Sequence, residues 1–246
     1  MSERPYLILT LRRTGGTSLM SFLARVSSFP PLQHEPLNAD RVWGPLTKAF
    51  RKTGDAAALE AALAQRLERR PNIKHCFEFL PYRITLALIE ACAARDYAIF
   101  LLTRRDEASR LRSLVVAQAT GAWGTQQAAE IYPRILAGEK SLAAVDLEAV
   151  RKRAAADAAA LGMVLRFLRH RRIAHDWLLF EEIYARDGGI EARACEIATR
   201  IGLAVAADDP RLEAFAERAG QGSADILPFL PNAEALGALV EELSLH

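Results

Sequence analysis

The stretch "LILTLRRTGGTSLMSFL" at residues 7–23 constrains the fold most, because it predicts a buried strand, a tight turn and a helix in direct succession. The continuous apolar run "PYLILTL" is typical of a central parallel strand. After the glycine pair, apolar residues recur at helical spacing: Leu19, Phe22, Leu23 and Val26. A helix that starts after glycines presents unpaired backbone N–H groups, so this turn is a candidate anion site.

The rest of the chain alternates strand-like and helix-like segments. We predict further strands at 72–80, 97–103 and 174–180, and helices at 55–70, 106–120, 146–170, 189–202 and 232–243. Asp55 and Asp106 are the expected N-caps of the first two of these helices. The alternation predicts an α/β fold of three layers, with a central, mostly parallel sheet flanked by helices. Since no repeat or low-complexity linker interrupts the pattern, we expect a single domain over 1–246.

Composition excludes several classes of protein. The net charge of +2 over 246 residues gives no strong field toward nucleic acid. The three cysteines form no CxxC pair, so neither a disulfide framework nor a zinc site is indicated. No apolar run approaches the ~20 residues of a membrane span. We therefore expect a cytoplasmic protein with reduced thiols, no transmembrane segment, no nucleic-acid partner and no metal.

The glycine turn differs from the common nucleotide-triphosphate loop, G-x-x-x-x-G-K-[ST]. Gly16 stands where that loop has its lysine, and Asp106 follows two arginines rather than directly ending a strand. The turn is therefore expected to hold a phosphate without magnesium. A cation, hydroxyl donors and close backbone approach would come from Arg13, Thr14, Gly15, Gly16, Thr17 and Ser18.

The segment "RRTGGTSL" resembles the 5′-phosphosulfate loop of the sulfotransferases that use 3′-phosphoadenosine 5′-phosphosulfate (PAPS). In that family a basic residue, here Arg13, is followed by Ser/Thr, Gly and small or hydroxyl residues. The resemblance implies the P-loop-like sulfotransferase architecture. It also implies that residues 13–18 hold the 5′-phosphosulfate and that Arg13 stabilises the leaving oxygen.

A second signature of the same family is an arginine at a strand end and a serine eight positions later, which together hold the 3′-phosphate of the donor. "RRDEASRLRS" supplies Arg105 and Ser113 at that spacing. If a helix begins at Asp106, Ser113 lies about two turns along it, so one phosphate could meet both side chains. Arg104 is the alternative ligand, because strand ends cannot be placed to one residue from sequence.

The general base is sought in the proline-rich loop 27–38, because "HEPLN" is similar to a Glu-containing motif of bacterial carbohydrate sulfotransferases. Glu35 is our first candidate and His34 the second, since His and carboxylates are the usual bases. In the trehalose type the base lies three residues further on, where this chain has Asn38, which cannot act as a base.

The segment "IKHCFEFLP" compares with the Lys-Thr-His strand of small-molecule cytosolic sulfotransferases, which makes Lys74 a candidate sulfate contact. Strand alternation puts Lys74, Cys76 and Glu78 on one face and His75 on the other. His75 is therefore expected to be a core or edge histidine rather than the base.

The resemblance implies a PAPS-dependent sulfotransferase acting on a hydroxyl of a carbohydrate or glycolipid, with adenosine 3′,5′-bisphosphate as product. Two alternatives stay open. One is a nucleotide kinase or other phosphotransferase with a degenerate loop, and the other is a sulfotransferase-like protein that binds nucleotide without catalysis. A homodimer is compatible with the alanine-rich helices but is not required by them.

Overall fold

The computed structural model describes residues 2–32, 34–185, 189–216 and 222–244. Four parallel strands form one sheet in the order β2-β1-β3-β4: β1 Tyr6–Thr10, β2 Ile73–Cys76, β3 Ala98–Thr103 and β4 Asp176–Leu179. Helices connect and follow the strands: α1 Gly16–Val26, α2 Gly44–Thr53, α3 Ala56–Arg66, α4 Tyr82–Ala93, α5 Glu107–Thr120, α6 Thr125–Leu136, α7 Leu147–His170, α8 Phe180–Ile183, α9 Ile190–Arg200, α10 Pro210–Ala216, α11 Ser223–Ile226 and α12 Ala233–Ser244. The predicted α/β class with a parallel sheet is confirmed.

The described residues form two compact units. The first lies within Met1–Thr103 and Ala159–Arg218 and contains the sheet. The second lies within Arg104–Ala158 and Ala219–His246 and is helical. Whether these units fold as the single domain expected from sequence stays a prediction.

Both faces of the sheet are covered in the first unit, which explains why its strands are continuously apolar. Leu7 and Leu9 of β1 pack into one cluster with residues of α3, α4 and the second part of α7. Tyr6 and Ile8 point to the opposite cluster, which α1, α9 and α10 complete. The three-layer arrangement is thereby built from alternate residues of one strand.

The strand order places β1 between β2 and β3, so the chain crosses from one side of β1 to the other after β2. In open parallel sheets the crevice outside the carboxyl ends of the strands at such a reversal is the usual ligand site. The turn that follows β1 therefore begins at the position where this fold class binds ligands.

Both predicted N-caps are confirmed. The Asp55 carboxylate accepts a hydrogen bond from the Ala58 amide at 3.0 Å. Asp106 accepts one from the Ser109 amide at 2.8 Å and starts α5.

The strand predicted at 72–80 is too long. It ends at Cys76, because its partner β1 ends opposite it at Thr10, and a 3-10 turn over Phe77–Phe79 follows. The sequence interpretation also omitted helices α2, α4 and α6 and the shorter helices α8, α10 and α11. Of these, α4 follows Pro81, a residue that favours turns as readily as helix starts.

The second unit has a core of its own, formed by α5, α6, the first part of α7, α11 and α12. It also encloses an ion pair between Arg110 and Asp157, whose side chains are 1% and 0% exposed. Arg153 and Glu107 complete this cluster.

Candidate active site

The turn after β1 is built from two left-handed residues, Arg13 at φ 68° and Gly15 at φ 78°. The Thr14 hydroxyl donates to the Leu11 carbonyl at 2.7 Å and so closes the turn on itself. Thr14 was predicted as a phosphate ligand, but its hydroxyl is committed to the loop in this structure. A non-glycine residue such as Arg13 rarely adopts positive φ, and such strain clusters at ligand-binding sites.

Helix α1 begins at Gly16 with no side chain capping its first turn. The amides of Ser18 and Leu19 both donate to the Gly15 carbonyl, at 3.1 and 3.2 Å. The amides of Gly16 and Thr17 precede these first intrahelical bonds. This end of the helix therefore has the donors and the partial positive charge that attract an anion.

Gly15 is packed against Tyr184, which follows α8. The Tyr184 hydroxyl donates to the Gly15 carbonyl at 2.7 Å. A Cβ on Gly15 would come within 2.5 Å of the Tyr184 ring. Phe180 and Phe215 pack on the same ring, with centroids at 4.8 and 5.5 Å. Position 15 thus requires glycine for both its φ and its close contact.

The two arginines of the turn differ in their surroundings. The Arg12 guanidinium lies 3.5 Å from the centroid of Phe79, and its Nε is 3.3 Å from Glu78 Oε1. The Arg12 amide donates to the same carboxylate oxygen at 2.9 Å. Arg12 therefore fixes the turn to the segment after β2, and Arg13 is the arginine that carries the strained backbone at the helix entrance.

Glu35, the first candidate base, accepts hydrogen bonds at both carboxylate oxygens. Oε1 accepts from Lys74 Nζ at 2.8 Å and from Cys76 Sγ at 3.3 Å. Oε2 accepts from Asn38 Nδ2 at 2.8 Å. Glu35 itself has φ 55°, so it is a second strained residue at the site. We call Glu35, Lys74, Cys76 and Asn38 the carboxylate cluster.

Lys74 links the carboxylate cluster to the anion loop. Its ammonium also donates to the Thr17 hydroxyl at 3.3 Å. A Cβ on Gly16 would lie 3.4 Å from the Lys74 Cε, so the lysine stem passes over the loop where it lacks a side chain. A lysine from β2 thus supplies a cation beside the position that a loop lysine occupies in nucleotide-triphosphate loops.

Burial alone would raise the pKa of Glu35, but the Lys74 cation and the hydrogen bonds from Lys74, Cys76 and Asn38 outweigh it and lower the pKa to about 2. Burial opposes the charge on Lys74, yet the charge of the Glu35 carboxylate and the hydrogen bond to it raise the pKa of the ammonium. At neutral pH the pair is therefore an ion pair, with side chains 5% and 20% exposed for Lys74 and Glu35.

The histidines of this region are neutral at pH 7. Burial, followed by the nearby Lys74 charge, lowers the pKa of His34, whose Nδ1 lies 3.1 Å from the Met20 sulfur. Burial lowers the pKa of His75 to about 4, and its Nε2 lies 2.9 Å from the Thr85 hydroxyl. The structure agrees with the strand alternation, since Lys74 and Cys76 both reach Glu35 whereas His75 packs in the core.

The second predicted anion site lies at the start of α5 in the helical unit. Arg105 is exposed, and Arg104 donates to the Ser109 hydroxyl at 2.6 Å. Ser113 is half-buried, and the Ser223 hydroxyl donates to its oxygen at 3.3 Å. Asp106 caps the helix as the spacing argument requires.

Sequence reasoning missed three contributors to these sites. Asn38 was considered only as a departure from a family pattern, yet its amide binds Glu35. Tyr184 and Ser223 had no signal in the sequence, because they reach their partners Gly15 and Ser113 across 169 and 110 residues.

Two searches of the described residues and two comparisons complete the description. Within the described ranges, no group of three or more His, Cys, Asp or Glu side chains could hold a metal ion. None of the helices in those ranges is both long enough and apolar enough to cross a bilayer. A scan against protein-family models and a search of curated proteins found no match to this chain.

Proposed function

We propose that this chain is a sulfotransferase that transfers the sulfuryl group of PAPS to a hydroxyl of a carbohydrate or glycolipid. The observation that supports this most is the position of Lys74, whose ammonium binds both the Glu35 carboxylate and the Thr17 hydroxyl of the anion loop. A group able to accept a proton and a group able to stabilise an oxyanion are therefore held within one hydrogen-bonded cluster.

Sulfuryl transfer requires stabilisation of charge on the SO3 group and on the leaving 5′-phosphate oxygen. Oriented N–H donors and cations at a partly buried site serve this purpose well. In this chain they would be the first amides of α1, the Lys74 ammonium and the Arg13 guanidinium. The Lys74 ammonium supplies the positive charge that the loop lysine supplies in nucleotide-triphosphate loops, where this chain has Gly16.

The proposed step is a displacement at the sulfur atom of PAPS. The acceptor oxygen attacks sulfur, and the bond between sulfur and the 5′-phosphate oxygen breaks with its electron pair remaining on that oxygen. The hydroxyl proton goes to a carboxylate oxygen of Glu35. The products are a sulfate ester and adenosine 3′,5′-bisphosphate, and no redox change occurs.

The 3′-phosphate is the feature that separates this donor from ATP. Arg105 and Ser113 are its proposed ligands, with Ser223 as the hydrogen-bond partner that holds the Ser113 hydroxyl. A cytoplasmic location belongs to the same proposal, and the three cysteines are unpaired in the structure, as they would be there.

The direct test is transfer from sulfur-labelled PAPS to a panel of sugars and glycolipids, with ATP and magnesium as the competing donor. We expect a labelled sulfate ester with wild type and a fall of about 10²-fold or more in Glu35→Gln, as for loss of a general base. Phosphoryl transfer from ATP without sulfuryl transfer would contradict the proposal and favour the kinase. Donor binding without turnover, unchanged in Glu35→Gln, would favour the non-catalytic alternative.

A further inference from the structure

Glu35 is poorly prepared to act as a base in the arrangement that the structure shows. Oε1 already accepts from Lys74 and Cys76, and Oε2 accepts from Asn38. A charged carboxylate that accepts three hydrogen bonds, one of them from a cation, has little affinity for another proton. Some change at the site must therefore release Glu35 before it can deprotonate an acceptor.

The group placed to make that change is Lys74. Its side chain is 5% exposed, so its ammonium depends on protein groups rather than water for its hydrogen bonds. One of these groups, Thr17, is an exposed residue of the first turn of α1, next to the amides that would bind the donor. An oxyanion bound at those amides would come close to the same ammonium and compete with Glu35 for it.

We propose that Lys74 is a positioning residue that couples donor binding to proton transfer: it holds Glu35 as an ion-pair partner in this structure, and the donor's oxyanion draws the ammonium to itself and frees Oε1. This inference rests on the sulfotransferase function proposed above and adds a regulation to it. Glu35 becomes basic when an oxyanion, such as that of the donor, is bound at the anion loop.

The other titratable groups around the pair leave this role to Lys74. Burial raises the pKa of the Cys76 thiol well above its ordinary value, so Cys76 is neutral. The pKa values of His34 and His75 are lowered, so both are neutral at pH 7. Glu78 is paired with Arg12. The charge of Arg41, in the same loop as Glu35, contributes to the lowered pKa of His34. Lys74 is the cation hydrogen-bonded to Glu35.

Two effects then raise the pKa of Glu35 when an anion binds. The anion brings negative charge near the carboxylate, and it weakens the hydrogen bond from the ammonium that stabilises the charged form. Replacing Lys74 with methionine removes the second effect and leaves the first. The two can therefore be separated by comparing the wild type with that variant.

The test is a pH titration of the Glu35 side-chain carbon by NMR of the full chain, with the resonance identified through Glu35→Gln. Adenosine 3′,5′-bisphosphate and inorganic sulfate are the probes, added separately. In wild type we expect the pKa of Glu35 to rise by about one unit or more, which is a tenfold gain in proton affinity. In Lys74→Met we expect a raised pKa without any anion, and a smaller further rise with one.

Asn38→Ala is the matched control, because it removes a hydrogen bond to the same carboxylate and keeps the lysine. It should retain the anion-induced rise. Binding of the bisphosphate with an unchanged pKa of Glu35, or an equal rise in Lys74→Met, would overturn the coupling and leave the proposed function standing. If neither probe binds, the proposed function fails and the coupling with it. If Lys74→Met does not fold, the wild-type titration still overturns the coupling when the bisphosphate binds and the pKa of Glu35 stays unchanged.

Discussion

Among the described residues, the Arg110–Asp157 cluster of the helical unit and the Lys74–Glu35 cluster of the sheet-containing unit differ in how completely they are closed. In the helical unit Asp157 is fully buried, and its two carboxylate oxygens are bound by Arg110 and Arg153. In the sheet-containing unit Glu35 is 20% exposed, and its partner Lys74 shares its charge with a hydroxyl of the anion loop. The first cluster is built on regular helices, and the second on a residue with positive φ.

The difference separates a structural ion cluster from a reactive one. A closed cluster of charges has no position left for a ligand, and its removal is felt as lost stability. An open cluster keeps a carboxylate accessible to solvent and places a lysine ammonium beside the first amides of a helix. It also includes strained backbone, which is common at ligand-binding sites. Substitutions in and around the two clusters should therefore differ in what they cost the fold.

Asp157→Asn should destabilise the protein by about 3–5 kcal/mol, because it removes the buried carboxylate charge that Arg110 and Arg153 share and leaves Glu107 as the remaining acidic partner of Arg110. Urea unfolding measures the loss. Glu148→Gln is the control, since Glu148 pairs with Lys152 at the surface and should change stability by less than about 0.5 kcal/mol. Similar small effects for both variants would show that the closed cluster is not structural.

The Glu35 carboxylate should make stability depend on pH in the acid range. Because its pKa is lowered from 4.5 to about 2 on folding, its contribution is complete above pH 4.5 and is lost as the pH falls toward 2. That shift corresponds to about 3 kcal/mol at most. Glu35→Gln should flatten this part of the stability profile, whereas Glu148→Gln should leave it as in wild type. A profile unchanged by Glu35→Gln would contradict the ion pair.

Gly15→Ala should cost about 2 kcal/mol or more, because it adds an overlap with the Tyr184 ring to the strain of positive φ. Gly54→Ala is the matched control, with φ 67° and no atom within 4 Å of the added Cβ. It should cost about 1 kcal/mol. Thermal unfolding compares the two, and equal costs would mean that Tyr184 does not restrain the loop.

Asn38→Ala should have the smallest effect, about 1 kcal/mol, since it removes one hydrogen bond to a carboxylate that keeps two other donors. Thermal unfolding at neutral pH measures it. A loss as large as that in Asp157→Asn would mean that the open cluster is as structural as the closed one.

Part of this arrangement follows from the sequence and part does not. Apolar runs and helical spacing predict the strand, turn and helix around Gly15, and strand alternation predicts that Lys74 and Cys76 share a face. The meeting of Glu35 with Lys74 does not follow, because the two are 39 residues apart and depend on the left-handed turn at Glu35. No periodicity marks such a turn when the residue is not glycine.

The pairing of Arg110 with Asp157 could not be predicted from the sequence either. Arg110 and Asp157 are 47 residues apart on two helices. The sequence pattern does not distinguish either of them from the exposed charged residues of the same helices. Only the packing of α5 against the first part of α7 makes their side chains internal. Long-range pairings of this kind are decided by tertiary structure, which local patterns do not specify.

Calorimetric titration with adenosine 3′,5′-bisphosphate, with AMP, and with ATP and magnesium distinguishes a sulfotransferase from a kinase. Wild type should bind the 3′,5′-bisphosphate best, and Arg105→Ala should lose about tenfold or more of that affinity, as expected for a charged phosphate contact. Arg112→Ala, whose arginine pairs with Glu241, should bind as wild type does. Tighter binding of ATP with magnesium, or an Arg105→Ala variant that binds like wild type, would contradict the account.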